Sequence, residues 1–145
     1  MFSLRTATKT LSITALTAAL IATPAHAASA ASCSDSNISD VVRLTNEYRA
    51  TNGLSAVECD ESMTRDSQKW ADHMRKTGEF EHYNGGNFSE NIDWRGGKAT
   101  PNQVVNDWIE SPGHRANMLD SDVSIIGVGW SQDPEKGTYA VQRFW

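Results

Sequence analysis

Ile38, Val41, Val42, Thr45 and Tyr48 recur at spacings of three and four, which predicts a helix from Ile38 to a stop at Asn52-Gly53. A second stripe, Met63, Ser67, Trp70, Ala71 and Met74, predicts a helix that starts at Asp60 or Ser62 and ends at Gly78. Glu61 near its start and Arg75 and Lys76 near its end carry the charge that each helix end favours. Between residues 79 and 97 no period lasts. The pairs Gly85-Gly86 and Gly96-Gly97 and the polar residues between them point to a long ordered loop with short strands, the kind of segment that carries function on a rigid scaffold. Thr100-Pro101-Asn102-Gln103 reads as a capping box with proline in the first helical position, so a third helix buries Val104, Val105, Trp108 and Ile109. Ser111-Pro112 breaks that helix and restarts the chain as a short fourth, with Ser111 as its cap and His114 in its first turn.

The period then changes from helical to alternating. Val123–Ser131 and Thr138–Phe144 are rich in β-branched and aromatic residues, and the turn cluster Gln132–Gly137 joins them as an antiparallel hairpin. Gly127 and Gly129 leave one face of the first strand without side chains, so another backbone, a helix or a ligand can come close there. Helices ahead of a terminal hairpin predict an α+β sandwich.

The first residues have a different character. Arg5 and Lys9 precede a mostly apolar run, Leu11 to Ala22, and Ala25-His26-Ala27 supplies small residues for cleavage. Residues 1–27 read as a secretory signal peptide cut after Ala27, and the run is shorter than the roughly 20 residues of a membrane span. Residues 28–37 form a small, polar lead-in, and residues 38–145 one domain. The chain has 18 acidic against 13 basic residues. Losing Arg5 and Lys9 makes it more acidic still, which argues against nucleic acid and anionic membrane surfaces as partners. In an exported chain Cys33 and Cys59 form one disulfide, worth about 3 to 4 kcal/mol in the chain-entropy account. The rival reading makes Cys33 a lipid-bearing N-terminus.

Several polar residues have a plain structural reading. Asn46 and Arg49, three apart beside the first stripe, reach a common neighbour and hold loop carbonyls. His73 packs at the boundary of the Trp70/Met74 stripe. Trp94, Trp130 and Trp145 are candidates for exposed aromatic contacts, with core packing the safer role for two of them. His82 and His114, taken alone, are hydrogen-bonding residues that order the glycine-rich loop.

The order of motifs carries more. Asn46-x-x-Arg49, Phe80-x-His82, Glu90-Asn91-Ile92, Trp108-Ile-Glu-Ser111-Pro-Gly-His114-Arg-Ala-Asn117-Met-Leu119, and Ile126-Gly-Val-Gly129 leading into Tyr139-Ala-Val-Gln142-x-Phe144 occur in one sequence. Together they resemble the bacterial branch of the CAP superfamily (cysteine-rich secretory proteins, antigen 5, pathogenesis-related 1; SCP domains) over residues 38–145. The resemblance implies a three-layer α-β-α sandwich with a surface cleft, lined in many members by two histidines and two glutamates that hold a divalent cation. Carried over, these are His82, His114 and Glu90. The position of the second glutamate is Ser111 here. Glu110 stands one residue earlier, turned about 100° around the helix, so Glu110 and Ser111 are cleft neighbours rather than replacements.

Two imidazoles and a carboxylate suffice for a divalent ion, Zn or Mg, with water completing the shell, and such a site could make hydroxide near neutral pH. A Ser111–His114 nucleophile is disfavoured, because no third orienting residue is evident. Three functions follow as expectations. The first is a secreted, monomeric binding module for an extracellular partner, small molecule or lipid, lipid being implied by the resemblance. The second is a metal-dependent, peptidase-like hydrolase using the same cleft. The third is a structural protein of the cell envelope.

Overall fold

The Asp60 carboxylate accepts the Met63 N–H and opens one helix, while the reciprocal Thr100–Gln103 box opens another, as their sequences require. The computed structural model describes residues 30–145; the expected signal peptide and cleavage site lie outside the described residues. The elements are α1 (Ser36–Thr51), β1 (Glu58–Cys59), α2 (Glu61–Thr77), β2 (Ser89–Arg95), α3 (Pro101–Glu110), α4 (Pro112–Met118), β3 (Ile125–Asp133) and β4 (Gly137–Phe144). The helices fall where the periodicity puts them, α1 beginning two residues before Ile38. None is long and apolar enough to cross a membrane.

The strands run in the order β1-β3-β4-β2. β3 and β4 form the expected hairpin. Two strands exceed the expectation. β1 pairs parallel with Ile125 and Ile126, and where short strands were expected within residues 79–97 the second half is a single seven-residue strand, β2, antiparallel to β4.

Both faces of the sheet are covered, giving three layers. Val41, Val104, Trp108 and Met118 from α1, α3 and α4 pack with Ile126, Val128 and Phe144 on one side. Ala71 and Met74 of α2 pack with Ile92, Tyr139 and Val141 on the other. Trp130 belongs to the first core, at 9% exposure, in its safer role. Trp94 and Trp145 are exposed, so core packing holds for one of the three tryptophans and not for two.

Gly127 and Gly129 explain how closely α2 sits. A Cβ at Gly127 would collide with the Met63 backbone, and one at Gly129 with the Ser67 carbonyl. Thr64 Oγ1 accepts the Val128 N–H at 3.4 Å, and the Gln68 amide both accepts from and donates to the Trp130 backbone at 2.9 and 3.0 Å. Four residues of helix rise about 6 Å and two residues of strand about 6.6 Å, so the two spacings match. Side chains of α2 thereby close the free edge of β3 beyond the short β1. Asn46 exchanges two hydrogen bonds with the Val57 backbone, and Arg49 donates to the carbonyls of Ser55, Met118 and Asp120, the loop-holding roles expected of both.

Cys33 and Cys59 are joined across 26 residues, which leaves no thiol on Cys33 for a lipid. On the opposite edge, Arg95 pairs with Asp107 through two hydrogen bonds. Asp93 beside them has Oδ2 buried without a partner. Burial, and then the Asp107 charge, push its carboxyl up to about 6 against the pull of Arg95. A raised carboxyl favours the fold at low pH, and that contribution is lost as pH rises from 3.8 through about 6. Asp93→Asn is expected to stabilise the protein at pH 7.5, on the order of 1 to 2 kcal/mol after allowing for partial exposure, with no gain near pH 3.5. Urea unfolding at the two pH values checks this.

Candidate functional site

Adjacent residues of an edge strand point to opposite layers. On β2 these are Glu90 and Asn91, which lie directly opposite Arg143 and Gln142 of β4. Glu90 and Arg143 face α2. Arg143 donates from Nε to Glu90 Oε2 at 2.8 Å, and the two side chains are 6% and 4% exposed, Glu90 being the former. The other carboxylate oxygen, Oε1, accepts the Tyr83 N–H at 2.9 Å and lies 2.9 Å from His82 Nδ1. Rings of Tyr83 and Phe88 stack on the guanidinium, with centroids 4.8 and 4.4 Å from its carbon.

Asn91 and Gln142 face the other layer. Asn91 Nδ2 donates to Gln142 Oε1 and to the His114 carbonyl, both at 3.0 Å, and Asn91 Oδ1 accepts from Asn117 at 2.8 Å. Gln142 donates to Thr45 Oγ1 on α1 at 2.7 Å. This buried relay fixes α4, and His114 with it, against the start of β2. Burial, and then the His82 charge, hold the His114 imidazole below its ordinary 6.5. His82 and His114 therefore feel each other across the edge of the sheet.

Ser111 occupies the cap position of α4, but its side chain makes no capping hydrogen bond; only its backbone carbonyl takes up the Arg115 N–H. This corrects the reading of Ser111 as a side-chain cap. Glu110 is exposed at the end of α3, where its charge is felt by Arg95. Neither residue hydrogen-bonds to His82, Glu90 or His114 among the described residues.

The arrangement does not fit a divalent cation. Both oxygens of Glu90 are engaged, one by a buried guanidinium, and no group of three or more His, Cys, Asp or Glu is placed to share an ion among the described residues. Arg143 supplies the positive charge that balances the Glu90 carboxylate. Its signal was present in the sequence: Tyr139, Val141 and Arg143 share one strand face, and a charge in an apolar register requires a partner.

The family model described as the cysteine-rich secretory protein family matches residues 42–144. The chain belongs to this family. Protein YkwD of Bacillus subtilis strain 168 is 32% identical over 120 residues, covering 72% of this chain and 45% of its own length. This chain therefore spans less than half of that relative. Among solved structures, an extracellular SCP-domain protein of Bacillus anthracis is 21% identical with a TM-score of 0.64, covering 74% of this chain and 39% of that one. An outer surface protein of Borrelia burgdorferi is 19% identical with a TM-score of 0.63, covering 74% of this chain and 90% of that one. These likenesses establish a CAP/SCP fold.

Removing one member of a buried ion pair strands the other charge. Arg143→Met is expected to cost about 3 to 5 kcal/mol, and adding Glu90→Gln to recover most of it, measured by urea unfolding of the two single variants and the double. The depressed His114 pKa favours the fold above 6.5, and that contribution is lost as pH falls below it. Proton NMR titration should place His114 below 6.5, and His82→Ala should raise it only part of the way, because burial remains.

Proposed function

We propose that this domain is a secreted binding module that recognises an extracellular partner, small molecule or lipid through the cleft of His82, Glu90 and His114, without catalysis. The observation that carries this reading is the engagement of both Glu90 oxygens. A general base or metal ligand needs a lone pair aimed at the reacting group, and the Glu90 oxygens face Arg143, Tyr83 and His82. The polar groups left facing outward are the exposed His82 and the half-buried His114, which suit hydrogen-bonded recognition. Secretion is supported by the leader pattern of residues 1–27, by the disulfide, and by the extracellular and outer-surface descriptions of two structural relatives.

A divalent cation, Zn or Mg, would have to be held by His82, His114 and a Glu90 released from Arg143. Calorimetric zinc titration of the chain from Ala28 onward, with His82→Ala and His114→Ala alongside, tests the reading. Weak binding, unchanged in both variants, is the expected result. Tight one-to-one binding lost in both variants, together with a peptidase activity lost in the same variants, would move the assignment to a metal-dependent hydrolase.

A further inference from the structure

Arg143 has a second environment besides Glu90. It lines an open groove of about 830 Å³ on the α2 side, together with Trp70, His73, Tyr83, Phe88 and Trp145. Trp70 stacks on His73 at 4.8 Å and meets the edge of Tyr83 at 5.1 Å, so the aromatic wall is continuous. Within this apolar lining the Arg143 side chain is 4% exposed, and its Nη2 is buried with no hydrogen-bond partner. Burying a charged donor without an acceptor is costly, and native structures rarely leave one so. Tyr83, which covers the guanidinium, is itself 46% exposed, so its ring is the cover with least protein around it.

We propose that the groove captures the C-terminal residue of a peptide. The α-carboxylate accepts from Arg143 Nη2 once Tyr83 swings aside, and a large apolar or aromatic side chain lies against Trp70, Phe88 and Trp145. An unpartnered guanidinium donor calls for an anionic acceptor, and carboxylate is the group that its planar fork matches. The aromatic wall calls for an apolar group attached close to that anion. Asp60 and Asp66 also line the groove. Asp60 accepts the Met63 N–H with one oxygen, and Asp66 pairs with Lys69, which lines the groove as well, at 2.8 Å. The remaining carboxylate oxygens can accept from the backbone N–H groups of an approaching peptide, donors that a fatty acid does not bring. Nothing in this requires the His82–Glu90–His114 cleft to be a binding site.

The test uses the chain from Ala28 onward and three probes: acetyl-Ala-Ala-Phe with a free carboxylate, the same peptide as its C-terminal amide, and laurate. Binding is followed by calorimetry and by NMR shifts of the Trp and Tyr rings. The free acid should bind and shift Trp70, Tyr83 and Trp145, with the amide at least tenfold weaker. Arg143→Lys should weaken the acid at least tenfold. Trp145→Ala, at a site 60% exposed and thus safe for folding, should also weaken it. His114→Ala, on α4 in the opposite layer, should leave it unchanged, which separates this groove from the cleft. Equal binding of acid and amide, binding of laurate but not peptide, or indifference to Trp145→Ala would each overturn the proposal.

Discussion

Two successive cross-strand pairs, Glu90–Arg143 and Asn91–Gln142, hold the molecule together at the point where its layers meet. One points to α2 and the other to α1 and α4. Each is buried, and Arg143 has Glu90 as its one counter-charge among the described residues. A slip of β2 by one residue would send Glu90 to the wrong layer and leave Arg143 without a counter-charge in an apolar environment. Register, layer assignment and site geometry are thus set by the same four side chains.

Around this point the remaining structure divides by face. The Asn91 relay reaches Thr45 on α1 through Gln142 and holds α4 by the His114 carbonyl and Asn117. The Glu90 ion pair gathers the loop after α2 by the Tyr83 N–H and the His82 ring. α2 itself is seated further along, by glycines that admit its backbone and by Thr64 and Gln68, which occupy the open edge of β3. Backbone groups that a longer β1 would have paired are satisfied by side chains from another element.

The helices and the hairpin could be read from the sequence because capping residues and periodicity act locally, within one or two turns. The bounds and pairing of β2 could not. Its residues Ser89-Glu90-Asn91-Ile92-Asp93 show no apolar alternation, since the side chains of Glu90 and Asn91 are buried against Arg143 and Gln142, distant in the chain. β1 is two residues long and exists only through its pairing with β3. Ser111 misled for a related reason: a good capping residue needs the right rotamer as well as the right place. At the site, His82, Glu90 and His114 were legible through the family's motif order, and local spacing alone would have left them as loop-ordering residues. Arg143 needed the strand register, which shows only when the alternation of β4 is followed to its end.

The source of the positive charge beside Glu90 decides what kind of site this can be. A buried carboxylate demands a counter-charge, and either a dissociable ion or a side chain can supply it. An ion makes the site conditional on metal supply and leaves a vacant coordination position for chemistry. A guanidinium built into β4 makes the counter-charge permanent and couples it to folding. It also brings hydrogen-bond donors, so what remains to be offered at this point is a donor seeking an acceptor. The side chain that balances Glu90 also lines the neighbouring groove, and on the reading proposed above it gives that groove a charge-assisted donor for recognition.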